Sequence, residues 1–242
     1  KSILKGTTYF RGRHLYLQIQ YYKDSNLFSC FTYFRFMYKY LLIVVLIYLT
    51  CSVKAGTSLI NLISQTDTAT TSFTFERLAK ETEQIVSLQA NNWLVYYWCS
   101  FNYAAAAYIA PIANRDGLLD KAQSMLDKLA ILKKDEAEVL LLQSWVYSIR
   151  ITVAPGSRIK EFGTKSNIAR EKAYVLDPQN PRYYFLKASS LYFSPPFMGG
   201  GKSKAKPLFE EAITKFKSYS SKGDLYPKWG NRQAKELLET CN

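Results

Sequence analysis

Three consecutive stretches decide the fold of this chain: AYVLDPQNPRYYFLKASSLYF at 173–193, SPPFMGGG at 194–201 and KSKAKPLFEEAITKF at 202–216. Asp177-Pro178 cannot continue the first helix, because Pro lacks an N–H and restricts the residue before it. The two prolines and three glycines of 194–201 interrupt the chain a second time. The pattern therefore predicts a helix, a turn, a second helix, a loop and a third helix.

The start of the second helix is indicated by Asn180 and Pro181. Asn is a favourable N-cap, and Pro fits the first helical position because its φ angle is already helical. The third helix has apolar side chains at spacings of three and four, which is the pattern of one buried helical face. These side chains are Ala205, Leu208, Phe209, Ala212, Ile213 and Phe216.

The chain before residue 173 continues the same pattern. We predict helices from Thr74 to Ala90 and from Trp93 to Ala110, the second apolar on almost every side. A turn is predicted at 111–117 and a loop at 157–163, with helices on either side of each. Strand-like alternation of polar and apolar residues does not occur after residue 72, so the fold class is predicted to be all-α.

The helices can be paired into three units: 92–132, 135–176 and 179–218. Small or apolar residues recur seven positions apart in the second helix of each unit, as Ala122 with Leu129, Ser166 with Ala173, and Ala205 with Ala212. This pattern, and the Leu-Asp-Pro at the end of the second unit, resemble the tetratricopeptide repeat (TPR). The resemblance implies a right-handed stack of antiparallel helix hairpins, about three repeats with flanking helices. The period here is about forty residues, longer than the 34 of that family.

Several short motifs between about residues 92 and 240 also resemble a group of uncharacterised secreted TPR-like proteins from Bacteroidetes-type bacteria. The residues that carry this resemblance are Asn180, Pro181, Arg182, Gly199, Gly200, Gly201 and Trp229. The group implies a fold and a compartment but no activity.

The N-terminal quarter of the chain predicts export. Met37 is followed by a basic residue, an apolar run and the sequence Val-Lys-Ala, which are the parts of a signal peptide. We interpret 1–36 as an upstream extension that is not native, 37–55 as the signal peptide, 56–71 as a linker and 72–242 as the helical domain. The alternative is a genuine extension followed by an uncleaved anchor. The predicted location is periplasmic or secreted, with membrane contact only through the signal peptide.

The charge and the reactive residues exclude several functions. The formal net charge is +13, but residues 56–242 hold 24 Lys/Arg and 18 Asp/Glu, which is an ordinary mixed surface. The only His is His14, and Cys99 and Cys241 have no metal-binding spacing. Gly201-Lys202-Ser203 lacks the earlier Gly and the preceding strand of a phosphate-binding loop. We therefore predict no catalytic residue, no cofactor, no metal and no nucleic-acid partner.

The predicted function is that of a non-enzymatic scaffold that binds a protein or peptide. First helices of TPR-like pairs line the concave surface, so we take Tyr96, Tyr97, Tyr147 and Tyr183 as candidate groove residues. The alternative is a hydrolase or another enzyme on a helical scaffold. An activity screen of residues 56–242 would distinguish the two.

Overall fold

The computed structural model describes residues 38–41, 59–133, 135–220 and 222–241, and these contain helices and no strand. The chain divides into two units, Lys1–Lys54 and Ala55–Asn242. In the first, residues 38–41 are helical. The second contains α1 (59–68), α2 (Ser72–Val86), α3 (Trp93–Ile109), α4 (Ile112–Leu132), α5 (Ala137–Ile151), α6 (Pro155–Leu176), α7 (Pro181–Phe193), a short 3-10 helix (Pro196–Met198), α8 (Lys202–Ser218) and α9 (Asn231–Glu239). The all-helical prediction is confirmed for this part of the chain.

The helix starts at Asn92 and Asn180 were predicted correctly from local chemistry. The side chain of Asn92 accepts a hydrogen bond from the Leu94 amide at 3.2 Å, and Asn180 accepts one from the Arg182 amide at 3.0 Å. Each bond satisfies an amide that has no partner inside the helix. Pro181 occupies the first turn of α7, where its missing N–H costs nothing.

The helices associate as the pairs α3–α4, α5–α6 and α7–α8, with α2 against α3 and α9 against α8. The first helices also touch from pair to pair, α3 with α5 and α5 with α7. All six of the residues predicted to permit close approach are buried: Ala122, Leu129, Ser166, Ala173, Ala205 and Ala212. Five of the six are Ala or Ser, whose small side chains let the backbones of neighbouring helices approach each other.

One hydrogen bond recurs from the first pair to the second. Ser100 Oγ in α3 donates to the Ala122 carbonyl in α4 at 2.9 Å, and Ser144 Oγ in α5 donates to the Ser166 carbonyl in α6 at 3.0 Å. Both bonds span 22 residues and all four residues are buried. The two pairs are therefore built alike in their interior as well as in their helix lengths.

Three sequence predictions of irregular structure are corrected. Residues 59–68, assigned to a linker, form a helix whose Leu59, Leu62 and Ile63 are buried in the core. The turn predicted at 111–117 is confined to its first residue, since α4 begins at Ile112. The loop predicted at 157–163 is helical because Pro155 begins α6 instead of ending α5.

Of the predicted signal peptide, only residues 38–41 belong to the described part of the chain; 1–36 and the remainder of 37–55 lie outside it. Among the described residues, no helix combines the length and the apolar character needed to cross a bilayer.

Candidate functional site

The C-terminal segment 222–230 lies against the first helices of the pairs, where it forms the candidate site. Trp98 of α3 donates its indole N–H to the Leu225 carbonyl at 2.7 Å. Arg182 of α7 donates to the Pro227 carbonyl. Trp229 in turn donates its indole N–H to the Tyr97 hydroxyl at 2.8 Å. The segment is thus held partly through its backbone carbonyls, and it contains a turn in which the Tyr226 amide donates to the Gly223 carbonyl at 3.1 Å.

A buried ion pair fixes the base of this site. Arg182 and Glu138 are 2.9 Å apart, with side chains 2% and 4% exposed, so water does not screen them. Asn180 donates a second hydrogen bond to the same carboxylate oxygen at 2.7 Å. Burial raises the pKa of the Glu138 carboxyl, while Arg182 and Asn180 act in the opposite direction. The guanidinium also lies 5.4 Å from the centre of the Trp229 ring, within cation–π distance.

Motif residues that are far apart in the sequence meet in this cluster. Asn180 and Pro181 begin α7, and Trp229 follows 47 positions after Arg182. The structure places Asn180 and Arg182 on Glu138 and places Trp229 against the Arg182 guanidinium. Glu138 was missed at the sequence level. Its place in the buried first turn of α5, with an Arg one repeat length further along the chain, is the signal that identifies it in retrospect.

Four aromatic rings continue from the ion pair towards solvent, and we call them the aromatic ladder: Phe101, Tyr108, Trp145 and Trp229. Trp145 and Trp229 are stacked, with ring centroids 5.6 Å apart and an interplanar angle of 25°. Phe101 lies 5.3 Å from Trp145 and 5.5 Å from Trp229. Tyr108 lies 6.3 Å from Trp145 and is 49% exposed, whereas Trp229 is 9% exposed. The ladder is therefore closed at the Trp229 end and open at Tyr108.

The four tyrosines proposed to line a groove do not come together. Tyr97 is buried under Trp229, and Tyr96 is buried as well. Tyr183 is buried except near its hydroxyl, which donates to the Glu171 carboxylate at 3.1 Å and accepts from Lys187 at 3.0 Å. Tyr147 is half-buried and packs on Phe162, with centroids 6.0 Å apart.

The glycine motif forms a tight connection between α7 and α8. A Cβ atom on Gly200 would lie 2.2 Å from the Ser194 carbonyl oxygen, so this position admits only glycine. Gly199 and Gly201 have φ angles of 85° and 112°, which favour glycine. A 3-10 helix precedes them, where a phosphate-binding loop would have a strand. The glycines are therefore required by the backbone conformation of this turn.

Cys99 is the buried thiol of the helical domain. Burial raises the pKa of the Cys99 thiol, so it stays protonated and unreactive at neutral pH. The described residues contain no cluster of three or more His, Cys, Asp or Glu that would hold a metal ion. The site therefore consists of the aromatic ladder and the buried ion pair next to it.

Comparison with known proteins gives one informative match. The fold is similar to that of the HusA haemophore from Porphyromonas gingivalis, with a TM-score of 0.69 and 29% sequence identity over 77% of this chain and 92% of that chain. No family model and no curated protein sequence matches the chain. That protein is helical and comes from the Bacteroidetes, the group that the sequence motifs indicated, and a haemophore is a binding protein.

Proposed function

We propose that this chain is a non-enzymatic binding protein that carries a flat, hydrophobic cargo of the porphyrin class on the open end of the aromatic ladder. The observation that carries the proposal is the row of rings that begins at the buried Trp229 and ends at the half-exposed Tyr108. Aromatic faces attract other π-systems by stacking. The likeness to a haemophore at 29% identity supports the same class of cargo.

The residues of the ladder fit a porphyrin better than they fit a coordinated iron. No imidazole is present in the described part of the chain, since the single His is His14. The phenol of Tyr108 is the ladder group that has an oxygen atom and access to solvent, and Tyr is a known haem ligand. We therefore expect ring stacking to supply most of the affinity, with iron coordination, if it occurs, from Tyr108.

Titration with haemin and with metal-free protoporphyrin tests the proposal. Both should quench tryptophan fluorescence, because Trp145 and Trp229 lie in the ladder. Tyr108→Ala should weaken both affinities about fivefold, which corresponds to roughly 1 kcal/mol for one stacked ring. Tyr108→Phe keeps the stack and removes the oxygen, so a loss for haemin alone would identify iron coordination.

The matched control is Tyr147→Ala. Tyr147 is also a half-buried tyrosine, but it packs on Phe162 away from the ladder. If neither porphyrin binds, or if Tyr147→Ala and Tyr108→Ala weaken binding equally, the ladder is not the cargo site.

A second candidate is the binding of a protein or peptide in the groove of a TPR-like, right-handed stack. The observation in its favour is that the first helices already hold the segment 222–230 through two of its backbone carbonyls. Cross-linking in intact cells followed by mass spectrometry tests this function. A reproducible partner whose cross-links map to α3, α5 and α7 would support it, and cross-links confined to α4, α6 and α8 would contradict it.

We further propose that the protein works outside the cytoplasm, as the predicted signal peptide at 37–55 indicates. N-terminal sequencing of the protein recovered from periplasm and culture medium would test this. A mature N-terminus close to Gly56 is expected, and a protein that begins at or before Met37 would refute cleavage.

A further inference from the structure

The connection between α7 and α8 displays three large apolar side chains to solvent. Phe193 is 63% exposed, Phe197 is 87% exposed and Met198 is 51% exposed. Isolated apolar residues at a surface are common, but here three exposed ones fall within six consecutive positions, and we call these three the apolar patch. We call residues 193–204 the α7–α8 tip.

The backbone holds the tip in this form. The amides of Met198 and Gly200 both donate to the Pro195 carbonyl, at 3.0 and 3.1 Å, and the Gly201 amide donates to the Leu191 carbonyl at 2.8 Å. Gly200 has no room for a side chain. Because these bonds fix the loop, Phe197 and Met198 cannot fold back onto the helices without breaking them.

Two lysines beside the patch make their hydrogen bonds to backbone carbonyls. The Lys202 ammonium donates to the Thr240 carbonyl at 2.6 Å, and the Lys204 ammonium donates to the Gly199 carbonyl at 3.0 Å. Neither ammonium forms an ion pair with a carboxylate among the described residues. Both lysines are exposed, so the apolar patch has a positive border.

We propose that the α7–α8 tip docks on an anionic lipid surface. Phe193, Phe197 and Met198 enter the boundary between headgroups and acyl chains, and Lys202 and Lys204 face the lipid phosphates. Apolar side chains with a lysine border are the combination that holds proteins at membrane interfaces, where burial of apolar area and attraction to anionic lipids add. The proposal does not depend on the cargo, since the aromatic ladder lies on other residues.

Vesicle flotation tests the proposal with the exported protein recovered from periplasm or medium, whose expected N-terminus lies near Gly56, so that the apolar run of the signal peptide does not contribute to binding. The protein should float with vesicles of equal parts phosphatidylcholine and phosphatidylglycerol, bind weakly to phosphatidylcholine alone, and be released by high salt. The double variant Phe197→Ser/Met198→Ser should bind the anionic vesicles about tenfold more weakly. Lys202→Gln/Lys204→Gln should lose about fivefold for each lysine, at roughly 1 kcal/mol per charge near such a surface.

The control is Ile131→Ser/Val175→Ser, which removes two apolar side chains that are 85% and 80% exposed at the ends of α4 and α6. This variant should float as the unchanged protein does. The proposal is overturned if the unchanged protein stays at the bottom of the gradient with both vesicles, or if the control loses as much binding as Phe197→Ser/Met198→Ser. Single Phe197→Ser, with circular dichroism, separates a docking defect from a folding defect.

Discussion

At the scale of single residues, Arg182 is a buried charge that contacts four other groups. Its guanidinium bonds to Glu138 and to the Pro227 carbonyl, and it faces the rings of Trp229 and Phe216 at 5.4 and 5.7 Å. One side chain therefore connects α5, α7, α8 and the C-terminal segment. A buried charge is tolerated only where a partner compensates it, so this network is sensitive to the loss of either member.

Arg182→Met should destabilise the protein by about 3–5 kcal/mol, because it leaves the Glu138 carboxyl buried without a cation. The measurement is the free energy of unfolding from urea denaturation at pH 7. Glu138→Leu/Arg182→Met removes both charges and should recover much of the loss. An exposed pair gives the comparison: Lys165→Met, which breaks the contact with Glu161 on the surface of α6, should leave the urea midpoint unchanged.

The same variant should make stability depend on pH. Burial already raises the pKa of Glu138 above its ordinary value of 4.5, and removal of Arg182 raises it further. A carboxyl with a raised pKa in the folded state binds a proton more tightly there than in the unfolded chain, so its stabilising contribution is lost as pH rises through the folded pKa. Arg182→Met should thus lose more stability at pH 8 than at pH 5. An equal loss at both values would show that Glu138 stays ionised.

At the scale of helices and loops, the start signals were read correctly where a side chain caps the helix, as at Asn92 and Asn180. Two of the three errors share one physical cause. Pro ends a helix when it follows one and begins a helix when it occupies the first turn, and the local sequence at Pro111 and Pro155 is compatible with both. The buried contacts of Leu59, Leu62 and Ile63, which decide that 59–68 is helical, come from distant parts of the chain.

The candidate site was less accessible to sequence reasoning than the fold. Tyr97 and Trp229 are 132 residues apart, and no periodicity connects residues at that separation. The motif at 180–182 and Trp229 were identified by resemblance, but nothing local says that they meet. The four tyrosines were assigned to a groove because they lie on the first helix of each pair. Whether such a tyrosine is exposed depends on which face of the first helices the C-terminal segment covers.

Substitution by Ala should have opposite effects on stability at one glycine of α6 and one glycine of the α7–α8 tip. Gly200→Ala should destabilise the protein by about 1–3 kcal/mol, because the new Cβ would clash with backbone atoms of Ser194 and Leu191. Gly163→Ala should stabilise it by about 0.5–1 kcal/mol, since this helical position has nothing within 4 Å of the added atom. Thermal unfolding of each variant measures its change in stability. A stabilising Gly200→Ala would mean that the tip is not held as described.

At the scale of the molecule, the C-terminal segment contacts all three helix pairs. Where helix pairs contact only their neighbours along a chain, the ends of such an array can unfold separately. Here residues 222–230 contact α3, α5 and α7 together, through Trp98, Trp145 and Arg182. This contact couples the first pair to the third and favours unfolding as one unit.

Trp229→Ala tests that coupling. It removes the ring stacked on Trp145 and leaves the buried Tyr97 hydroxyl without its indole partner, which should cost about 3–5 kcal/mol. Trp229→Phe keeps a ring and loses the hydrogen bond, so it should cost about 1–3 kcal/mol. Phe197→Ala, at a side chain that is 87% exposed, should change stability by less than about 0.5 kcal/mol.

Hydrogen exchange then distinguishes a molecular effect from a local one. If the segment couples the three pairs, Trp229→Ala should lower the protection of amides in α3, α5 and α7 by similar factors, because all three lose the same closing contact. Protection that falls only in α7, α8 and α9 would mean that Trp229 stabilises its own end of the stack, and the first pair would then unfold independently of the C-terminal segment.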